Sequence, residues 1–449
     1  MVSVDGQTGI EEIKQNEILK GSHVVGNLNI KAATTNKCVV YVNKETTSLV
    51  IYPATVQGRF YLMGKGIDGD LSGLQTIQIG RSTNINDTDG FASNTSANIN
   101  LSLDFQSGNC TTKIPKNAFN GYSGNTINVV IYGNVTDSNG ITLESGSFCN
   151  MPNMTKLPMT NSISLKVIPE NCMNNLASLT SATTGYVVDV EGCNNMSNLT
   201  TLRIESSCEK VNGFNDCPKL RSLSFMSDGK VKEIGGLNNN SLTTFYIPNT
   251  ALSVSGVNNC SALTTVVIGN SLTSFTGFNH CPKLNKFTVN SANTTFKVID
   301  DSLYQGNKLC RVPMNKGYIV VANGTTEIMS NAIQVAFANS ISIPNDCILA
   351  NDSIKCQSVG QIIFHTSFNI ETGKYNNLTM TDFSTLDNVQ VGTIFTYGNG
   401  ITDTTNANCL PVVKYCIEHN INYVDMNETN TNARGSIGIS GNAELDGDN

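Results

Sequence analysis

The segment Gly213–Phe225 reads GFNDCPKLRSLSF, and the segment Gly277–Val289 reads GFNHCPKLNKFTV, nearly the same phrase 64 positions later. Between them lie GLNNNSLTTFYI from Gly236 and GVNNCSALTTVVI from Gly256, so the copies are consecutive. Their leading leucines are Leu220, Leu242, Leu263 and Leu284, preceded by Leu199 of MSNLTTLRI, with steps of 21, 22, 21 and 21 residues. Apolar residues follow each leading leucine at +3 and +5: Leu202 and Ile204, Leu223 and Phe225, Phe245 and Ile247, Val266 and Ile268, Phe287 and Val289. Alternate side chains on a strand share a face, so each pair marks the inner side of a short strand.

A second apolar set follows in each unit: Val211 and Phe214, Ile234 and Leu237, Val254 and Val257, Phe275 and Phe278. One coil of this length has no interior. Stacking one coil on the next lines up like residues, and each coil then adds apolar surface, at about 25 cal/mol per Å2, to a shared core. The form L-x-x-L-x-L at a period of roughly 20–29 is the leucine-rich-repeat signature. Gly213, Gly236, Gly256 and Gly277 supply tight corners. Asn215, Asn238, Asn258 and Asn279 follow two positions later, placed to satisfy backbone groups of neighbouring corners. Cys217, Cys260 and Cys281 share one register, with Met196 and Asn239 expected there in the other units.

These residues resemble the BspA-like branch of leucine-rich repeats, whose unit runs roughly I-P-x-x-A-F-x-x-C-x-x-L-x-x-L-x-I-P. IPKNAFNGYSGNTINVVI from Ile114, GSFCNMPNMTKLPM from Gly146 and IPENCMNNLASL from Ile168 match it loosely. The stretch from Phe287 is similar to a longer family unit in which a DGVLY-like hairpin replaces one coil, with Asp301-Ser302-Leu303-Tyr304 standing in for that segment. NCLPVVKYCIEHNINYV from Asn408 resembles the family's closing helix and strand; Pro411 suits a first helical turn, and Leu410, Val413 and Ile417 have helical spacing. In LASLTSA, Ser181 stands where an inward aliphatic is expected.

The expected fold is mainly β: a leucine-rich-repeat solenoid with one parallel strand per coil of about 21 residues, a small N-terminal β-rich element and a C-terminal helix–strand cap. The expected boundaries are 1–70 for an N-terminal cap or anchor, 71–405 for the solenoid with the hairpin insert near 290–320, 406–426 for the cap, and 427–449 for a polar tail. LSGLQTIQI at 71–79 is the expected first coil, through Leu74, Ile77 and Ile79. Upstream, EEIKQNEILKG is compatible with a short helix, and HVVGNLNI, KCVVYV, SLVIYP and GRFYLMG read as strands. The tail has no apolar periodicity and reads as disordered or ordered only by a partner.

Charged residues are 14% of the chain and its net charge is −7, which offers no basic field for nucleic acid. The amino terminus carries acidic residues where a signal peptide needs basic and then apolar ones, so none is expected; no apolar run is long enough for a membrane helix. The 14 cysteines are then expected to be free thiols.

No cofactor or metal is expected. GRFYLMGKG has the wrong spacing for a phosphate loop and lacks Ser or Thr after Lys65. NINDTDG (84–90) and IDGD (67–70) do not fit a calcium loop. Cys416 with His419 makes half a zinc site. His280 and Cys281, adjacent in sequence, would point apart, which disfavours a nucleophile pair. Asn-x-Ser/Thr triplets, such as those at Asn94, Asn109, Asn134, Asn198 and Asn377, follow from an Asn-, Ser- and Thr-rich composition.

What remains is the outward side of the strands. The +2 and +4 positions are Thr201 and Arg203, Ser222 and Ser224, Thr244 and Tyr246, Thr265 and Val267, Lys286 and Thr288. They form the candidate binding face, for a protein or glycan surface ligand. The resemblance implies a surface adhesin, and with none of the catalytic pairings above favoured, no enzymatic activity is expected. Lack of an export signal favours a virion component, such as a phage fibre, decoration or receptor-binding protein, with the N-terminal element attached to other virion proteins. A bacterial or protist adhesin and an intracellular scaffold in the cytoplasm are the alternatives, and self-association is left open.

Overall fold

The computed structural model describes residues 143–157, 166–344 and 346–427 with their side chains, a few turn residues between 116 and 121, and the backbone of the strands from Val2 to Leu143 and of residue 428. The chain divides into two compact units, Met1–Ala262 with Ser274–Phe278, and Leu263–Thr273 with Asn279–Asn449.

In the first unit successive strands alternate between two parallel ladders. Near the start, Val2–Asp5, Ile18–His23, Lys37–Val42, Gly58–Met63 and Thr83–Asp87 form one sheet. Gly9–Ile13, Gly26–Ala32, Thr46–Ile51, Thr76–Ile79, Asn100–Phe105 and Asn128–Gly133 form the other. The helix expected in EEIKQNEILKG is therefore replaced by strands at Gly9–Ile13 and Ile18–His23. Here ladder pairing overrides local helix propensity. Thr76–Ile79, expected as a first rung, is paired on both sides, with Thr46–Ile51 and with Asn100–Phe105. The polar tail from position 429 lies outside the described residues.

The same alternation continues through the repeats. Six two-residue strands, Val167–Ile168, Asp189–Val190, Lys210–Val211, Glu233–Ile234, Ser253–Val254 and Ser274–Phe275, form one parallel ladder, and the second residue of each is buried. The longer strands Ser181–Thr183, Thr201–Ile204 and Ser222–Phe225 form the other. Leu199, Leu220 and Leu242 are buried in this unit, as are Leu263 and Leu284 in the second. This is a leucine-rich-repeat solenoid.

Four inward assignments shift, one of them in the second unit, where Val289 is only half-buried. Ser181 is outward: the leading leucine of its coil is Leu179, whose +3 and +5 residues, Ala182 and Thr184, are both buried. Thr184 is tolerated inside because its Oγ1 accepts a hydrogen bond from the Glu205 N–H at 3.0 Å. Leu223 and Phe225 are only half-buried, because Ser222–Phe225 pairs with the strand before it and the next long strand, Thr244–Tyr246, falls in a different sheet. The coil from Gly213 to Gly236 spans 23 positions, against 20 from Gly236 to Gly256, and its surplus is taken up in the turn at Met226–Gly229.

The second unit carries Thr265–Ile268 paired with Lys286–Val289. Phe296–Ile299 and Ser302–Gln305 then form an antiparallel hairpin, and Lys308–Arg311 returns antiparallel to it before rejoining a parallel ladder with Glu327–Ile328 and Ile348–Leu349. Asp300 and Asp301, at φ 46 and 59, make the hairpin turn. Tyr304, 1% exposed, accepts the Ala322 N–H on its hydroxyl at 3.0 Å.

Five long parallel strands follow: Tyr318–Val320, Phe337–Ile343, Ser358–Phe364, Gln390–Thr396 and Asn422–Asp425. Before the last runs the helix Pro411–Glu418, with Pro411 in its first turn. Its buried residues are Val412, Val413 and Cys416, while Ile417 is 39% exposed. Of the three residues singled out by helical spacing, only Val413 is thus buried.

Candidate functional site

The corners come first, because they hold the coils in register. Asn194 N–H donates to Asn174 Oδ1 at 2.8 Å, Asn215 N–H to Asn194 Oδ1 at 2.9 Å, Asn238 N–H to Asn215 Oδ1 at 3.2 Å, and Asn258 N–H to Asn238 Oδ1 at 2.8 Å. The amide Nδ2 groups of Asn215, Asn238 and Asn258 donate along the same line, at 3.1, 2.7 and 2.9 Å. Each side chain thus satisfies the backbone donor of the next coil. One coil earlier Cys149 takes the acceptor role, its Sγ 3.3 Å from the Asn174 N–H. In the second unit Asn279 Oδ1 accepts from Nη2 of the buried Arg311 at 2.8 Å.

Next along each corner is a residue in the left-handed region: Asn150, Asn175, Asn195, Asp216, Asn239 and Asn259 have φ of 55, 62, 61, 56, 57 and 57. Asn and Asp tolerate this conformation best among residues with a β-carbon. Asn239 therefore belongs to this position and not to the cysteine register, where Asn240, 2% exposed, stands instead. Asn240 survives burial by accepting the Leu242 N–H at 2.9 Å and donating to the Leu237 carbonyl. Counting back from Leu242 hid this, because the coil lacks one residue after Asn240 that its neighbours have.

Gly236 shows why the corner needs glycine. Its φ is +60, and a β-carbon would lie 2.4 Å from the Asn212 carbonyl carbon.

With the corners fixed, the outward positions are set. In the first unit Thr201 and Thr244 are half-exposed, and Arg203, Ser222, Ser224 and Tyr246 are exposed, Tyr246 by 61%. Thr201 pairs with Ser222 and Arg203 with Ser224. Arg203 is held over the face by Glu205, Nε to Oε1 at 2.9 Å, and by Met226 Sδ at 2.9 Å from Nη2. In the second unit Thr265 and Val267 are half-exposed, Lys286 and Thr288 are exposed, and Thr265 pairs with Lys286 as Val267 does with Thr288. All ten face residues thus point outward.

The thiols do the opposite. The described cysteines are buried and form no disulfide. Burial pushes Cys172, Cys208 and Cys416 up to about 12, and Cys217, Cys310, Cys347 and Cys356 up to about 11, so at neutral pH they stay protonated and are poor nucleophiles. Cys281 is buried whereas His280 is exposed, so the two point apart. Cys416 is fully buried, and His419 stacks on Tyr415 with centroids 4.0 Å apart. Among the described residues no group of three His, Cys, Asp or Glu side chains could hold a metal. No helix of the described chain is long and apolar enough to cross a membrane. Of the residues considered for phosphate and calcium loops, Gly58–Met63 and Thr83–Asp87 are strands, and 64–70 and 88–90 lie outside the described residues.

Two features escaped the sequence reading. A cavity of about 370 Å3 lies between Asp346–Leu349 and Leu378–Asp382 in the second unit. The second unit also exposes aromatic residues: Tyr318 at 66%, Phe337 at 65% and Phe368 at 51%. For Tyr318 the signal was present, since YIVV alternates Tyr318 and Val320 outside with Ile319 and Val321 inside.

No protein-family model and no curated protein matches the chain. Among solved structures the chain is similar to a leucine-rich repeat protein from Eubacterium ventriosum ATCC 27560, at 15% identity over 49% of this chain and 75% of that one, with a TM-score of 0.35. It is also similar to a leucine rich cell surface protein from Faecalibacterium prausnitzii A2-165, at 13% identity over 77% and 83% of the two chains and a TM-score of 0.30. The pneumococcal vaccine antigen PcpA aligns at 10% identity over 91% and 94%, with a TM-score of 0.22.

Proposed function

We propose that this chain is a surface-displayed recognition protein that binds through the outward side of its long strands and does no covalent chemistry. The observation that carries this reading is the face itself. Between Thr201 and Tyr246 the outward positions hold hydroxyls, one anchored guanidinium and a tyrosine that is 61% exposed, while the alternate positions build the core. A tyrosine amid short polar side chains has the composition of a binding surface: a large amphipathic anchor surrounded by adaptable hydrogen-bonding groups. A parallel ladder fixes Thr201, Arg203, Ser222 and Ser224 in a regular array, which is how solenoids present extended surfaces.

The finer reading is a virion component, such as a fibre, decoration or receptor-binding protein, that engages a protein or glycan on a host surface; an adhesin displayed on a bacterial or protist cell is the second reading. Mass spectrometry of purified virions and of peptides shaved from intact cells separates them. Recovery from virions supports the first, and recovery only from cell surfaces supports the second. Recovery from neither, with the chain confined to cell interiors, overturns surface display. In either setting Tyr246→Ala lowers binding of the purified chain to its target surface by about tenfold or more, the loss of about 1.4 kcal/mol expected for a central aromatic anchor.

A further inference from the structure

The five-stranded sheet of the second unit has its own outward face, distinct from the residues between Thr201 and Thr288. Its register defines two rows running across the strands. The first is Tyr318, Ser340, Gln361, Thr393 and Asn422. The second is Val320, Ser342, Ile363, Phe395 and Val424. None of these ten side chains is charged. One row is neutral and polar, with groups that both donate and accept hydrogen bonds, and the other is chiefly apolar. At about 4.8 Å between strands, each row is about 19 Å long.

An aromatic wall flanks the rows, just beyond the C-terminal end of the strand Gln390–Thr396. Tyr397 follows Phe395 by two positions and stacks on Tyr375, with centroids 4.0 Å apart and planes 23° apart. Tyr375 in turn meets the edge of Phe368 at 5.0 Å. Phe368 and Tyr375 face each other across the small antiparallel hairpin formed by Phe368–Asn369 and Lys374–Tyr375. The hairpin is pinned rather than loose. Asn427 accepts the Tyr375 N–H at 3.3 Å and donates to its carbonyl at 3.2 Å, and Asn376 Nδ2 donates to Ser367 Oγ at 2.7 Å. At its tip Ile370 is 88% exposed. At Ser342 of the second row, His365 Nε2 lies 2.7 Å from the hydroxyl Oγ.

The chemistry narrows the occupant. The two rows offer no counter-charge, and the hairpin beside them carries one exposed carboxylate, Glu371, and one exposed ammonium, Lys374, so the face has no net charge to repay the hydration lost by acidic or basic peptides, nucleic acid or anionic glycans. A purely apolar partner would leave the polar row unmatched. A sugar ring fits both rows. Its hydroxyls donate and accept toward Ser, Thr, Asn and Gln, and its C–H side, carrying partial positive charge, is attracted to the negative face of an aromatic ring. A wall held in place before binding lowers the ordering cost of that contact.

From this arrangement we infer that the outward face between Tyr318 and Val424, with the Phe368–Tyr375–Tyr397 wall, is a binding site for a neutral oligosaccharide. It rests on reading the chain as a recognition protein but uses none of the residues between Thr201 and Thr288, so either face can fail alone.

The test is binding of the full chain to a glycan array carrying maltohexaose, chitotetraose and oligomannose beside sialylated and heparin-derived oligosaccharides. At least one neutral glycan is bound, and Tyr375→Ala and Phe368→Ala each lower that binding at least tenfold, while Tyr375→Phe retains it. Tyr246→Ala leaves it unchanged, and unaltered thermal midpoints show that the variants are folded. Binding to none of the neutral glycans, binding only to acidic ones, or neutral-glycan binding that survives both alanine variants overturns the assignment. Loss through Tyr246→Ala alone moves the glycan to the other face and equally overturns it, while leaving the proposed function intact. Binding confined to a protein ligand, with no glycan retained, overturns it as well.

Discussion

Asn215 does two jobs with one oxygen: its Oδ1 accepts both the backbone N–H and the Nδ2 of Asn238. Replacing it with Ala removes that acceptor and leaves donors in a half-buried corner, where each unsatisfied group costs about 1–3 kcal/mol. Urea unfolding of Asn215→Ala should therefore show a loss in that range, and Asn215→Asp, which keeps the acceptor but sets a carboxylate oxygen against Asn194 Oδ1 where the amide donated, should not recover it. His365 is a second residue whose setting predicts behaviour. Burial lowers its pKa below the ordinary value of about 6.5, so the folded state prefers the neutral ring. The sign follows: above the unfolded pKa neither state carries the proton and stability is at its full value. As pH falls through the unfolded and then the folded pKa, the unfolded state takes up the proton first and stability declines. His365→Gln should flatten the thermal midpoint between pH 7 and pH 5. The Asn ladder was legible in the repeat, because Asn215, Asn238 and Asn258 recur two positions after a glycine. The role of Cys149 at the same level was hidden, since nothing in its residue type announces an acceptor for a backbone donor.

Strand kinks in the second unit belong to the level of elements. In Phe337–Ile343 both Ala338 and Ile341 are buried, three positions apart, so the inside–outside alternation resets between them. Val359 and Ile362 repeat the pattern in the next strand. At the reset the chains approach closely: a β-carbon on Gly360 would lie 2.7 Å from the Asn339 carbonyl oxygen, and one on Gly392 would lie 2.6 Å from the Gly360 oxygen. Backbone cannot move aside as a side chain can, so Gly360→Ala and Gly392→Ala should each cost about 2 kcal/mol or more. Gly324→Ala is the comparison, because only its φ of +78 opposes a side chain and its β-carbon meets nothing within 4 Å. That cost should stay near about 1–2 kcal/mol. The reset explains why the repeat faded in this part of the sequence: a strand whose buried residues are three apart no longer reads as L-x-x-L-x-L. The break after Ser222–Phe225 was illegible for a related reason, since Leu223 and Phe225 keep the inward pattern even where the following strand does not pair with theirs.

At the scale of the whole molecule, the buried thiols report on the core. The described cysteines are buried, many with pKa values raised to about 11 or 12, so a thiol reagent at pH 8 should reach them only as the coils open. Mass spectrometry of peptides labelled in increasing urea should show their modification rising together with the loss of β-structure within each unit. Solenoid class was readable because each coil repeats the demand for burial, so errors in one coil are outvoted by the next. The outward face was readable for the same reason, as the complement of the buried set. The aromatic wall was not, because its hairpin is an insertion that belongs to one coil only. The central claim is that consecutive units of about 21 residues lie side by side as parallel strands, in register within each sheet, with Thr201 opposite Ser222. Oxidation of a Thr201→Cys, Ser222→Cys double variant, followed by peptide mapping, tests it most directly, since facing strands bring such a pair within disulfide reach. A rapid crosslink for this pair, and a much slower one for Thr201→Cys with Ser224→Cys, is the predicted result; the reverse order, or no crosslink in either, would contradict the stacked register on which the fold and the face depend.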